Sequence, residues 1–510
     1  MPSSHKTHPL ITGTILLTAA GLLSRVLGFF YRIFLSRTIG AEGLGIYQMI
    51  FPIYGIFFSL CAGSIQTAIS RFTAADPDHA KRTLLSGFSL SFAMSLAAAF
   101  VIRHFSVPLA EHVLMEPRCA PLLSVMAFAI PCPSVHACIC GYYYGKEKVS
   151  VPAAAQLFEQ MIRIFTVFLL ASVCIEKRIP VTVSLAVFGL VAGEAGSALF
   201  VLIFFLLFHE FHENTGRSYS VGQSGNLFSP MAALLALAAP LMANRLVLNL
   251  LQSTETIMIP ERLTVYGLTR SQAVRTYGTL TGMAMPFVLF PSALVNSLAV
   301  VLLPVTARHQ SAGNDSGIAD GISMAFRYSL YLGIFCVGVF TVFGEALGLQ
   351  IFKSQDAGSF IQILAWLCPF LYLATSSGSI LNGLGKTKLT FFHHLISLLV
   401  RIAFVWFGIP EVGIRACLWG MLASEILLAL LHILALRRIV PCDWNAWILI
   451  GKPVFCLLCA LWLFRLFPET LPLPAGLPDF FLTAVQILLL STMYLLFLLF
   501  FHRKQSPAST

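Results

Sequence analysis

Charge is what this 510-residue chain has least of. Its 32 Lys and Arg and 22 Asp and Glu make up 11% of the residues, where a soluble domain carries about 25%. With 57% hydrophobic residues and a mean hydropathy of +0.84, a soluble core is excluded. Long polar stretches are also scarce, which leaves no room for a sizeable extramembrane domain. The 12 cysteines lack any repeated spacing and lie mostly in apolar runs. Disulfide frameworks belong to small secreted folds, so these read as buried thiols. The densest cluster, Cys132, His136, Cys138 and Cys140, reads the same way, and no metal site is expected. No cleavable signal peptide is expected either, because the first apolar run is too long and too basic. Nucleotide motifs are missing too. "NGLGKTK" (Asn382–Lys388) has Ile380 where a phosphate loop needs glycine, so neither a nucleotide nor a nucleic acid is an expected partner.

What is present is oil. Apolar runs of about 20 residues or more predict fourteen spans, near 10–36, 43–70, 83–103, 119–144, 151–174, 181–208, 228–256, 277–307, 320–345, 358–384, 388–408, 411–436, 446–467 and 479–501. The polar stretch 209–226 is the natural linker between halves. "ERLTVYGLTRSQAVRTYG" is too polar to span and reads as an ordered loop or an amphipathic connector.

The halves resemble one another. "GKEK" (Gly145–Lys148) recurs as "GKTK" (Gly385–Lys388), each after the fourth span of its half. Pro131 and Pro369 are 238 positions apart, as are Arg163 and Arg401. "GLVAGE", ending at Glu194, recurs as "GMLASE", ending at Glu425, and Pro52 pairs with Pro286. The expected organisation is therefore a first lobe over 1–208, the linker, a second lobe over 227–438, and a two-helix appendix with its tail over 439–510. Six spans per copy is an even number, so the repeats are parallel and both GKxK turns face one compartment. Basic residues place that compartment, with both termini, in the cytoplasm.

Within the spans the informative residues are ionisable. Arg25 and Arg32, in "SRVLGFFYRIFLSRTIG", are seven positions apart, about two turns, so they share a helix face with no carboxylate in reach on that helix. Arginine at bilayer depth costs about 2.5–3.5 kcal/mol on insertion scales, so this pair needs a wet cavity or an anion; Arg37 fits the membrane surface. The guanidinium fork suits phosphate oxygens. Arg163, Arg245 and Arg401 are further candidates for a cationic, diphosphate-binding cavity. Glu159, Glu194, Glu255 and Glu425 are candidate coupling or gating carboxylates. Glu159 and Arg163, four apart, also fit a purely structural ion pair, while Arg401 has Ser397 at the equivalent position.

"SRVLGFFYRIFLSRTIGAEGLGIYQM" with Pro52, "QLFEQMIR" (Gln156–Arg163) and "YGTLTGMAMP" together resemble the flippase branch of the multidrug/oligosaccharidyl-lipid/polysaccharide exporter superfamily, nearest the stage V sporulation protein B group and related to the lipid II flippases. The resemblance implies two six-helix lobes facing each other in a V, with two added helices. It implies a cationic central cavity with Arg25 and Arg32 in it, and a groove for a polyprenyl tail beside the last two spans. At other charged positions of the lipid II branch the likeness lapses: "IYGIFF" after Pro52 has no arginine, and "GAEGLGIYQ" no aspartate.

The expected function is a flippase, not an enzyme. It would carry an undecaprenyl-type lipid-linked oligosaccharide or peptidoglycan precursor from the inner to the outer leaflet of a bacterial plasma membrane by alternating access. The expected protein is monomeric, without a cofactor, and driven by Na+, H+ or the membrane potential. An ion-coupled exporter of organic cations on the same fold stays open as an alternative, as does a membrane-embedded glycosyl- or acyltransferase.

Overall fold

The computed structural model describes residues 9–207, 228–440, 444–466 and 479–503, and the expected linker at 209–226 lies outside them. Hydrocarbon offers backbone groups no hydrogen-bond partner, so an apolar chain closes its bonds within helices. All regular structure among the described residues is helical. Thirteen helical stretches among the described residues are long and apolar enough to cross a membrane. The first of them, Leu16–Ala75, holds two of the expected spans, so the fourteen predicted runs all recur as helix. The protein is an all-α, multi-pass membrane protein.

Span 1 is the helix Pro9–Met49 up to Gly40, whose φ of 70° and ψ of 179° break it. That left-handed backbone favours glycine. Span 2 follows as Phe51–Phe58, a π-turn over Ser59–Gly63, and Ser64–Ala75. The repeat is visible in local geometry. Span 4 is interrupted by a 3-10 turn at Ala127–Ala129 and resumes at Pro131, while span 10 is interrupted at Ala365–Leu367 and resumes at Cys368 with Pro369 in its first turn. Both turns lie 238 residues apart, the same offset as the prolines. Proline has no N–H to give and fits a first turn, so each copy breaks its helix at the same place.

Two compact units result, Met1–Glu261 and Arg262–Thr510. In the first, span 5 (Ser150–Glu176) packs on span 6 (Ser184–Leu207) and span 1, and span 4 packs on spans 2, 3 and 6. Leu234, Ala238 and Met242 of span 7 (Phe228–Val265) join the same buried cluster as Ile65, Ile69 and Tyr142. In the second unit, span 9 (Asp315–Phe352) packs on spans 8, 10, 13 and 14, and span 11 packs on span 12.

Of the two readings of the polar segment after Pro260, the loop needs correcting and a helical connector stands. Residues 261–278 do not form a loop. Span 7 runs on to Val265, and after a short turn a new helix occupies Arg270–Gly278. Thr269 starts it with a capping box: its hydroxyl accepts from the Gln272 backbone N–H, and the Gln272 side chain accepts from the Thr269 N–H. Two orphan donors are thereby satisfied, which sustains a helix in a segment too polar to span. Span 8 then continues through a π-turn at Thr279–Ala284 and Met285–Leu289 before Ser292–Ser311.

Candidate functional site

The first unit holds a half-open cavity of about 370 Å³, lined among others by Phe51, Tyr54, Phe58, Gln66, Glu159 and Glu194. Its charged wall comes from spans 5 and 6. Glu159 and Arg163 sit one turn apart, and an Arg163 Nη2 donates to Glu159 Oε1. The same nitrogen lies 3.5 Å from Glu194 Oε1, which accepts at 2.8 Å from the Tyr54 hydroxyl. One guanidinium thus serves two carboxylates. The side chains of Glu159, Arg163 and Glu194 are 21%, 16% and 12% exposed. Charges buried that far stand only when paired.

Small residues bring the helices close enough. A Cβ on Gly189 would sit 2.1 Å from Val167, and one on Gly193 would sit 3.1 Å from Arg163 Cβ and from the Glu159 carbonyl. Such small-residue stripes let helix backbones approach in a membrane. The second unit reuses the device, since a Cβ on Gly420 would lie 3.6 Å from the Arg401 carbonyl and 2.6 Å from Phe404. There Ser397 replaces Glu159, and its hydroxyl donates to the Ser424 carbonyl at 2.9 Å. Arg401 and Glu425 are half-buried in this unit, on spans 11 and 12.

The structure therefore gathers Arg163, Glu159 and Glu194 at one site and leaves Arg25 elsewhere on span 1. Span 1 turns Ser24 and Gly28 toward span 5, where Gln160 Nε2 donates to the Ser24 carbonyl at 3.5 Å. Arg25, next to this contact, is exposed and has no ion-pair partner among the described residues. Arg32 is half-buried and near enough to Arg163 for their charges to act on each other. Arg37 is exposed. His136 goes to the Ser197 hydroxyl, and Cys132, Cys138 and Cys140 are free thiols.

Sequence reasoning marked Arg245 as a candidate but missed the polar ladder it forms on span 7 with Asn249 and Ser253. Ser253 donates to the Pro52 carbonyl at 3.4 Å. Asn249 donates to the Gly55 carbonyl at 3.3 Å and to the Ser59 hydroxyl. Arg245 reaches Thr67 at 3.5 Å and lies over Gly63, where a Cβ would meet it at 2.4 Å. The signal was in the spacing, because 245, 249 and 253 recur every four residues and so share a face. They meet the part of span 2 where Pro52 and the π-turn disturb the regular ladder. Glu255, on the same helix, is buried.

The second unit holds an apolar cavity of about 500 Å³ at spans 8, 9 and 14, lined among others by Leu294, Tyr328, Phe335, Tyr494 and Leu498. Two of its three phenols are satisfied by backbone, with Tyr331 donating to the Ile448 carbonyl at 2.9 Å and Tyr494 to the Tyr331 carbonyl at 3.0 Å. The wall left to the cavity is hydrocarbon and aromatic ring.

Known proteins are similar to this chain in sequence and in fold. A family model described as polysaccharide biosynthesis protein matches residues 10–310. Stage V sporulation protein B of Bacillus subtilis (strain 168) is 26% identical over 439 residues, covering 84% of this chain and 84% of that protein. Lipid II flippase MurJ of the same strain is 22% identical over 455 residues, covering 82% and 80%. Among solved structures, Lipid II flippase MurJ in an inward closed conformation superposes with a TM-score of 0.74 at 16% identity, covering 96% of this chain and 99% of that one. An inward-facing multidrug resistance MATE family transporter gives 0.62 at 13% identity, covering 83% and 97%. These last two relatives are transport proteins, not enzymes. With more than half of its length matched, the chain belongs to the polysaccharide biosynthesis protein family.

Proposed function

We propose that this protein is a flippase for a lipid-linked saccharide, an undecaprenyl-type oligosaccharide or peptidoglycan precursor, and that it carries the substrate from the inner to the outer leaflet by alternating access. The observation that carries the reading is Arg25. It is a cation deep in an apolar span, exposed, with no carboxylate paired to it among the described residues. The diphosphate of a lipid-linked sugar supplies the missing anion, and Arg32 on the same face supplies a second contact. Family membership and the relationship to a lipid II flippase support the same substrate class. The apolar cavity beside span 14 suits a polyprenyl tail. The protein works as a monomer in a bacterial plasma membrane with both termini in the cytoplasm, and draws on Na+, H+ or the membrane potential.

The test is translocation in liposomes of an undecaprenyl diphosphate-linked sugar by wild type, Arg25→Ala and Arg32→Ala. A charge-assisted contact of about 1.5–3 kcal/mol corresponds to a roughly ten- to hundredfold loss of rate for Arg25→Ala. Wild-type rates in both variants would remove the phosphate clamp.

A further inference from the structure

We infer that the cavity in the first unit is a saccharide subsite that admits neutral and amino sugars and excludes acidic ones. This rests on the flippase reading and names the class of headgroup it takes. Size decides the first step. About 370 Å³ falls in the range of small-molecule pockets, about 300–1,000 Å³, whereas a bare ion or a single water fills only about 30 Å³. The space fits a sugar ring.

The lining decides the second step. Phe51, Tyr54 and Phe58 present aromatic surface to the cavity, with the Tyr54 and Phe58 rings within 20° of parallel and their centroids 6.0 Å apart. Flat aromatic faces pack on the C–H faces of a pyranose. Around them stand groups matched to hydroxyls. Glu159 and Glu194 each use Oε1 for Arg163 or Tyr54, and their Oε2 atoms make no hydrogen bond with a described residue. Two carboxylate oxygens are thus left as acceptors. Gln66 also lines the cavity, and its amide both donates and accepts. A simple organic cation has no use for that donor, whereas a hydroxyl uses the donor and both acceptors.

Charge decides the third step. Two carboxylates share one guanidinium at this wall, and the oxygens that Arg163 leaves unbonded carry negative charge, in surroundings where charge is weakly screened. A uronate entering it meets like charge, and an ammonium on an amino sugar meets opposite charge. The two carboxylates stand on spans 5 and 6 and the arginines assigned to the diphosphate on span 1, so one substrate can reach both sites.

The experiment uses the full chain in liposomes with three probes: polyprenyl diphosphate carrying N-acetylglucosamine, the same lipid carrying glucuronate, and ethidium. Wild type should move the N-acetylglucosamine lipid at least tenfold faster than the glucuronate lipid. Glu194→Gln should narrow that ratio by raising the glucuronate rate, a gain that a misfolded variant cannot give. Gln66→Ala and Phe58→Ala should slow the N-acetylglucosamine lipid at least threefold. Equal rates for the two lipids, or a ratio unchanged in Glu194→Gln, would overturn the subsite and leave the flippase reading intact. No movement of either lipid would overturn the flippase reading itself. Ethidium transport abolished by Glu194→Gln would reassign the cavity to organic cations.

Discussion

Replacing Arg163 by methionine removes the one positive charge shared by Glu159 and Glu194. At an effective dielectric of about 20, a contact at 3.5 Å is worth roughly 5 kcal/mol before desolvation is counted, and Arg163 makes two such contacts. All three side chains are less than a quarter exposed, so solvent does little to soften the loss. Deleting one partner of a buried ion pair costs about 3–5 kcal/mol. For a unit the size of Met1–Glu261, about 2 °C is lost per kcal/mol, so the melting temperature should fall by about 6–10 °C. Cys138 and Cys140 are buried in the same unit, so a thiol-reactive dye reports its unfolding in detergent. The neutral triple variant Glu159→Gln, Arg163→Met, Glu194→Gln should melt well above Arg163→Met, because no charge is stranded. A wild-type melting temperature for Arg163→Met, or a triple variant as unstable as the single one, would refute the view that the triad is held by charge balance.

Two further outcomes follow from packing. Asn249→Ala loses the bonds to the Gly55 carbonyl and the Ser59 hydroxyl; at about 0.6–1.7 kcal/mol for such contacts in a membrane, it should lower the melting temperature by about 1–3 °C, and no change would show the ladder to be incidental. Gly348→Ala puts a methyl 2.3 Å from the Gly358 nitrogen, backbone that cannot step aside, whereas a Cβ on Gly21 meets nothing within 4 Å; the first should sharply reduce the yield of monodisperse protein, and Gly21→Ala should not.

The ladder and the capping box show how much of the site was already written in the chain. The four-residue spacing of Arg245, Asn249 and Ser253, and the Thr269–Gln272 pair, were open to reading beforehand. Their partners were not. Nothing in "RLVLNLLQS" says that the matching carbonyls are those of Pro52 and Gly55, nearly 200 positions earlier. Arg163 gives the same lesson. Its bond to Glu159 follows from helical spacing, but its second carboxylate comes from another helix, brought within 3.5 Å because Gly189 and Gly193 leave no side chain between.

The sequence by itself determined the class, the helices and the duplication. Hydrocarbon punishes every unbonded backbone group, so length and apolarity suffice to specify spans, and a proline break recurring at a constant offset needs no neighbour to be seen. Only the tertiary structure decided which charges share a cavity. Facing side chains depend on how closely two backbones approach and at what rotation, and these are set by packing between helices far apart in the chain. That is why Glu194 could be marked as a candidate in advance, while its place beside Tyr54 and Arg163 could not.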